Sequence, residues 1–221
     1  MTSIVVFASG VGSNFRAICE AIREKKLAAR VEALVCNLPG AGAPSVAKEF
    51  GIRCFEIPER TPDRKWLRAE HEGLILGALS EIRFDWIVLA GYMRLLSSGF
   101  VKRFTDAERG CARIVNIHPS LLPAFSGVAG YAQALHYGAK VTGVTVHLVG
   151  DGLDDGPIVA QRAIEIRDDD TIETLMERGL AVEHGLYVET LGKLFAGAWR
   201  IEGAEHARRP RIVFGAEVAR G

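Results

Sequence analysis

Four polar clusters in this chain have residue types and spacings suited to group-transfer chemistry. The first reads IVNIHPSLLP, residues 114–123, where Asn116 and His118 bracket the end of an apolar run and Pro119 stops it. An amide that donates hydrogen bonds, two residues from an imidazole, suits acyl-type chemistry: one group holds an oxyanion while the other manages protons. An ordinary loop histidine before proline is the alternative reading. The second cluster, FASGVGSNFRAI (7–18), leaves an apolar run, passes Gly10 and Gly12, and enters a helical pattern. The two glycines allow a tight turn. Ser13 is the candidate N-cap, setting the amides of residues 12–15 at a helix N-terminus, where unpaired N–H groups and the helix dipole attract an anion. A plain strand-to-helix turn with a serine cap fits the same letters. A dinucleotide fingerprint fits less well, because Phe15 stands where a third glycine belongs and the next strand ends in Cys36–Asn37 with no acid for a ribose. One phosphate monoester suits this loop better than a pyrophosphate.

The third cluster is GDGLDDGP, 150–157. Calcium-loop spacing is absent, since the twelfth position from Asp151 is Arg162 rather than Glu. The stretch reads either as a hairpin turn or as the source of a carboxylate that pairs with His118 and favours its cation. Local periodicity does not choose among Asp151, Asp154 and Asp155. The fourth cluster is a single residue: Glu183 falls at the centre of the apolar helical stripe made by Ile172, Leu175, Met176, Leu180 and Tyr187. A buried carboxylate is expensive unless a cation meets it; a helix turned so that Glu183 reaches water is the alternative.

Alternating elements must position these residues. Ile4–Phe7 is an uninterrupted apolar run, as in a strand covered on both faces. Residues 13–26 place Phe15, Ile18, Cys19 and Ile22 on one helical stripe. Strands are expected at Val31–Cys36, Ile52–Ile57, Asp85–Ala90 and Ala112–Asn116, with a short helix ending at Phe50 and a charged helix from about Asp63 to Glu81. This order argues a mostly parallel twisted sheet with helices on both faces, Rossmann-type in its N-terminal half. Val141–Val149 and Pro157–Ile166 read as longer antiparallel strands, and a final helix runs from about Asp170 to Ala196. The Arg-rich end (Arg208, Arg209, Arg211) reads as a solvated tail or an edge strand.

Composition narrows the function classes. Lys plus Arg and Asp plus Glu are 27 each among 221 residues, so no global field attracts nucleic acid or an anionic membrane. No apolar run has the length of a membrane span, and Ile4–Ala8 is too short for a signal peptide. Cys19, Cys36, Cys54 and Cys111 never approach C-x-x-C spacing, which argues for free thiols in a reducing cytoplasm rather than zinc or disulfides.

SGVGSN, LAGYMRLL (89–96), NIHPSLLP and GLDDGP follow one another in an order that resembles the phosphoribosylglycinamide (GAR) formyltransferases, folate-dependent enzymes of purine synthesis. The resemblance covers Ile4 to about Tyr187. An Asn–His–Asp trio is common to the wider formyltransferase group, whereas a G-x-G-S-N loop is not expected in methionyl-tRNA formyltransferases and narrows the substrate. The resemblance implies catalytic Asn116, His118 and Asp154, with the acid directly after Leu153 selected. It implies that Gly12, Ser13 and Asn14 hold the 5′-phosphate of glycinamide ribonucleotide and that Glu183 meets its ammonium. It maps the 10-formyltetrahydrofolate site onto Arg64, Met93, Arg94, Leu95, Leu96 and Asn116, with the 150–154 loop closing over the pterin. Direct attack of the amine on the formyl carbon is implied, without metal or covalent intermediate. One formyltransferase domain is expected over 1–221: a phosphate-binding half (1–110), a catalytic and folate-binding half (111–196) and a tail (197–221). Small-molecule substrates, a monomer or homodimer, and no nucleic-acid or membrane partner are expected. One departure stands out. After Gly127 such enzymes often carry histidine, where this chain reads Val128–Ala129–Gly130–Tyr131, and Ser126 stands where proline is frequent. Formyl transfer to another phosphorylated or sugar amine, and a phosphometabolite-binding module without chemistry, are the competing readings.

Overall fold

The computed structural model describes residues 1–203 and 209–215. Seven strands form its main sheet: β1 (Thr2–Ala8), β2 (Ala29–Cys36), β3 (Arg53–Glu56), β4 (Trp86–Leu89), β5 (Ile114–His118), β6 (Val141–Leu148) and β7 (Ile158–Glu165). Their spatial order is β7-β6-β5-β4-β1-β2-β3. The five strands from β5 to β3 run parallel, and β6 and β7 add an antiparallel edge. The helices are α1 (Ser13–Arg23), α2 (Ala43–Glu49), α3 (Arg68–Leu79), α4 (Ser98–Arg103), α5 (Gly130–Tyr137) and α6 (Ile172–Phe195).

The apolar run of β1 supplies two cores because successive side chains leave a strand on opposite faces. Ile4, Val6 and Ala8 enter one core, with Phe15 and Ile18 of α1 and Leu186, Tyr187 and Leu191 of α6. Val5 and Phe7 enter the other, with Ile75 and Leu79 of α3 and Phe100 and Val101 of α4. Complete burial of a side chain such as Ile18 is worth about 1.5–3 kcal/mol, so α1 is held chiefly by its stripe. The cysteines pack as small apolar groups: burial pushes the Cys19 thiol up to about 12 and those of Cys54 and Cys111 up to about 11.

Two expectations are corrected. The charged helix does not begin at Asp63 but at Arg68. Thr61-Pro62-Asp63-Arg64 is a turn tetrapeptide, with proline presetting φ, and Arg60–Thr61 pairs with Arg64–Lys65 in a small hairpin. Ser13 is not the cap of α1; Gly12 occupies that position in the left-handed region (φ 81). A Cβ on Gly12 would lie 2.9 Å from Ala43 Cα, so glycine is required twice over, by φ and by the approach of α2. Of the two readings of the Arg-rich end, the edge strand holds for Arg211, since Arg211–Phe214 pairs with Trp199–Glu202 in a two-stranded sheet. Arg208 lies outside the described residues. The helices α4 and α5 went unanticipated; α4 is short, and starts where Ser97 Oγ accepts the Phe100 N–H at 3.1 Å.

Candidate active site

Val115 and Ile117 of β5 enter the first core, so alternation turns Asn116 and His118 to the opposite face. The antiparallel register sets Thr145 opposite His118 and His147 opposite Asn116, which makes His147 a direct neighbour of the Asn116 amide. Asn116 Nδ2 lies 3.2 Å from His147 Nε2, and His147 Nδ1 lies 2.8 Å from the Leu148 carbonyl. A carbonyl only accepts, so Nδ1 carries the proton and Nε2 accepts from Asn116. One Asn116 N–H is thereby spent on orienting the amide, and the second is left for a ligand.

His118 is 3% exposed. Its Nε2 donates to the Phe125 carbonyl at 2.9 Å, and its Nδ1 lies 3.4 Å from Asp154 Oδ2. Acceptors thus face both ring nitrogens, an arrangement that an imidazolium satisfies twice and a neutral ring once. Asp154 reaches back from the β6–β7 connection through a left-handed backbone (φ 50). Its Oδ2 also accepts the Gly127 N–H at 2.9 Å, and its Oδ1 lies 3.6 Å from His147 Nε2. Asp155 is spent on the loop itself, accepting the Gly152 N–H at 2.9 Å, and Asp151 is exposed. The loop after His118 is pinned by a polar knot. Thr145 Oγ1 donates to the Ser120 carbonyl (2.7 Å) and accepts from Leu122 N–H (3.0 Å) and Gln161 Nε2 (2.9 Å).

His147 escaped the sequence reading because a histidine in a long alternating strand carries no motif; its signal is the register opposite Asn116. Burial lowers its pKa, outweighing the Leu148 hydrogen bond and the Asp154 charge that favour the cation. Its unfolded counterpart titrates near about 6.5, so acidification protonates the unfolded chain first. Stability is therefore present above that pH and falls as pH drops below it. Denaturant melts at pH 7.5 and 5.5 should show a smaller loss for His147→Gln than for the wild type.

At the carboxyl end of β1, α1 opens with no acid in its first turn and no side-chain cap, which leaves its first amides and its dipole to an outside acceptor. Asn14 turns inward, and its Nδ2 donates to Glu183 Oε2 at 2.7 Å. Glu183 is 6% exposed on α6. One turn further along, the Tyr187 hydroxyl bolts this helix to the sheet through the Leu89 (2.8 Å) and Val115 (3.1 Å) carbonyls.

The 93–96 strip is joined to the same loop. Ser9 O–H donates to Asn37 Oδ1 (2.6 Å) while Ser9 Oγ accepts the Met93 N–H (2.8 Å). Asn37 Nδ2 then donates to Glu59 (2.7 Å), whose other oxygen meets Arg94 at 2.6 Å. Met93 is exposed and Leu95 partly so, whereas Leu96 is buried in the second core and offers a ligand only its backbone. Arg64, on the hairpin, pairs with Glu70 and stacks over Trp66 at 4.2 Å. Its recorded contacts are thus local to the hairpin and the start of α3. Arg209, given no role by the sequence, donates to the Gly156 carbonyl at 3.2 Å, beside the loop that carries Asp154. Among the described residues no group of three or more His, Cys, Asp or Glu is arranged to hold a metal ion, and no helix is long and apolar enough to cross a membrane.

An open α/β sheet with an amide, an imidazole and a carboxylate converging beyond a central strand, beside an uncapped helix N-terminus, defines an acyl-transfer type of site. Residues 2–191 match the formyl transferase family, and the chain belongs to that family. It is 40% identical over 194 residues to the phosphoribosylglycinamide formyltransferase of Bacillus subtilis (strain 168), covering 88% of this chain and 95% of that protein. Among solved structures it is similar to glycinamide ribonucleotide transformylase 1 from Symbiobacterium toebii, with TM-score 0.85, 37% identity and coverage of 96% and 94%. It is likewise similar to the corresponding Geobacillus kaustophilus enzyme, with TM-score 0.79, 43% identity and coverage of 88% and 98%.

Proposed function

We propose that this protein transfers the formyl group of 10-formyltetrahydrofolate to the amine of phosphoribosylglycinamide. The observation that carries this reading is the convergence of Asn116, His118 and Asp154 beside a phosphate-ready α1, on a chain belonging to the formyl transferase family. The ribonucleotide phosphate takes the free amides around Gly12, Ser13 and Asn14, and its ammonium takes Glu183. The folate lies along Met93–Leu96, with Arg64 and the 150–154 loop around it. With one ammonium proton given up to solvent, the neutral amine attacks the formyl carbon, and the second proton it sheds from the tetrahedral intermediate is the one N10 receives as the C–N10 bond breaks. The free Asn116 N–H donates to the tetrahedral oxyanion, and the His118 imidazolium, whose N–H groups face Phe125 and Asp154, stabilises it through its positive charge. Asp154 balances the imidazolium charge or relays a proton through water, so that folate N10 departs protonated. The setting is a cytoplasmic monomer or homodimer acting on small molecules.

The test follows the absorbance change as formyl-folate is converted, with and without phosphoribosylglycinamide. Conversion that requires this amine supports the reading, and conversion that ignores it overturns it. A second measurement addresses the phosphate loop. Gly12→Val puts a side chain into Ala43 and into a disfavoured φ, so the melting temperature should fall. In protein that remains folded, the ribonucleotide should weaken far more than the folate. Equal weakening of both would remove Gly12 from the phosphate site.

A further inference from the structure

Both hydrogen-bond donors recorded on the buried Glu183 carboxylate are neutral. Asn14 Nδ2 serves Oε2, and the Tyr131 hydroxyl serves Oε1 at 2.9 Å. A buried carboxylate whose donors are neutral has no cationic partner among the described residues and keeps spare lone pairs. Beside it, Asn14 Oδ1 is a buried acceptor with no hydrogen-bond partner among the described residues. Buried acceptors are rarely left so unless something else meets them. Charge and orphaned acceptor together call for a compact cationic donor, and a primary ammonium with three N–H groups supplies one.

Tyr131 comes from the Val128–Tyr131 stretch, and its place is built with some care. Ala129 turns in the left-handed region (φ 58), an uncommon conformation for a non-glycine residue. Gly130 then abuts the backbone just after His118, where a Cβ would stand 2.4 Å from the Pro119 carbonyl oxygen. On the facing helix, Gly179 lies one turn before Glu183, and a Cβ there would fall 2.3–2.6 Å from the Tyr131 ring and hydroxyl. The slot at Gly179 is thus fitted to this phenol. Burial and the neighbouring Glu183 charge push its pKa well up, so it remains a donor.

We propose that Tyr131 is the positioning residue of the amine subsite: its hydroxyl fixes Glu183, which with Asn14 Oδ1 accepts the substrate ammonium, while Gly130 ties that acceptor set to the His118 loop. The proposal deepens the formyl-transfer reading above and rests on it. Tyr131 touches Glu183 and not the reacting atoms, so its loss removes binding felt equally in ground and transition states.

The experiment compares Tyr131→Phe and Gly179→Ala with the wild type in steady-state formyl transfer, with KM resolved for each substrate. A hydrogen bond to a charged group supports a rise of roughly tenfold or more in KM for phosphoribosylglycinamide. The KM for formyl-folate should not move, and kcat should stay within about threefold. Gly179→Ala displaces the same ring and should reproduce this pattern, which keeps the test open if one variant folds poorly. A merely structural tyrosine would give another result, because loosening α5 disturbs the Gly127 N–H on Asp154 and lowers kcat and folate affinity together. That outcome, or an unchanged ribonucleotide KM in both variants, overturns the proposal alone. Wild-type protein that transfers nothing to this amine overturns the parent reading, and this one with it.

Discussion

His118→Ala and Asn116→Ala are each expected to lower turnover by at least about a hundredfold while both substrates still bind. Loss of one oxyanion donor typically costs about a hundred- to a thousandfold in rate, because the donor meets charge that exists only in the transition state. The structure makes each loss specific. Asn116 has one N–H committed to His147 Nε2, so its alanine variant removes the outward N–H together with that orienting bond. His118 is held by the Phe125 carbonyl and by Asp154, so its alanine variant removes the imidazole whose Nδ1 faces that carboxylate. Binding of each substrate, measured by calorimetry on the folded variants, should change by no more than a few fold. Near-normal turnover in either variant would remove that residue from the oxyanion role.

The elements that form the parallel half were legible because burial leaves a periodic trace. The run Ile4–Phe7 is apolar on both faces because both faces are covered, and the α1 stripe repeats at helical spacing because one side meets the sheet. Glu183 was legible for the opposite reason, as a charge on a stripe where solvation alone cannot explain it. Short-range chemistry that depends on distant partners was not legible. The Arg60–Lys65 hairpin competes with a charged helical pattern and wins through Pro62 and a backbone bond from Trp66 N–H to the Glu59 carbonyl at 2.9 Å. The helix cap at Gly12 is set by α2 lying against it, a contact between residues 31 apart in the chain (12 and 43). His147 needs the β5–β6 register, and Tyr131 needs the gap at Gly179. Neither register nor gap is written in one segment. The letters thus carry what each segment buries, and three-dimensional pairing decides what each polar group meets.

An effect of the same order is expected at Asp154, where Asp154→Asn should cut turnover by two or more orders of magnitude. The substitution keeps the side chain's size, and its amide oxygen can still accept the Gly127 N–H that now bonds Asp154 Oδ2 at 2.9 Å. What it removes is the negative charge 3.4 Å from His118 Nδ1, and with it the balance for an imidazolium during oxyanion formation. An amide that turns its NH2 toward the ring would add a donor where an acceptor is required, compounding the loss. Asp151→Asn should leave the chemical step nearly unchanged, since Asp151 is exposed. Asp155→Asn should also be mild in rate, because its carboxylate accepts the Gly152 N–H within its own turn, though the loop's order should fall. Single-turnover rates with both substrates saturating isolate the chemical step from binding. An NMR titration of the imidazoles in all three variants separates a lost charge from a displaced loop. If Asp155→Asn proved the damaging change and Asp154→Asn did not, the left-handed turn at residue 154 would be carrying the wrong acid inward, and the folate-side loop would have to be shifted by one residue.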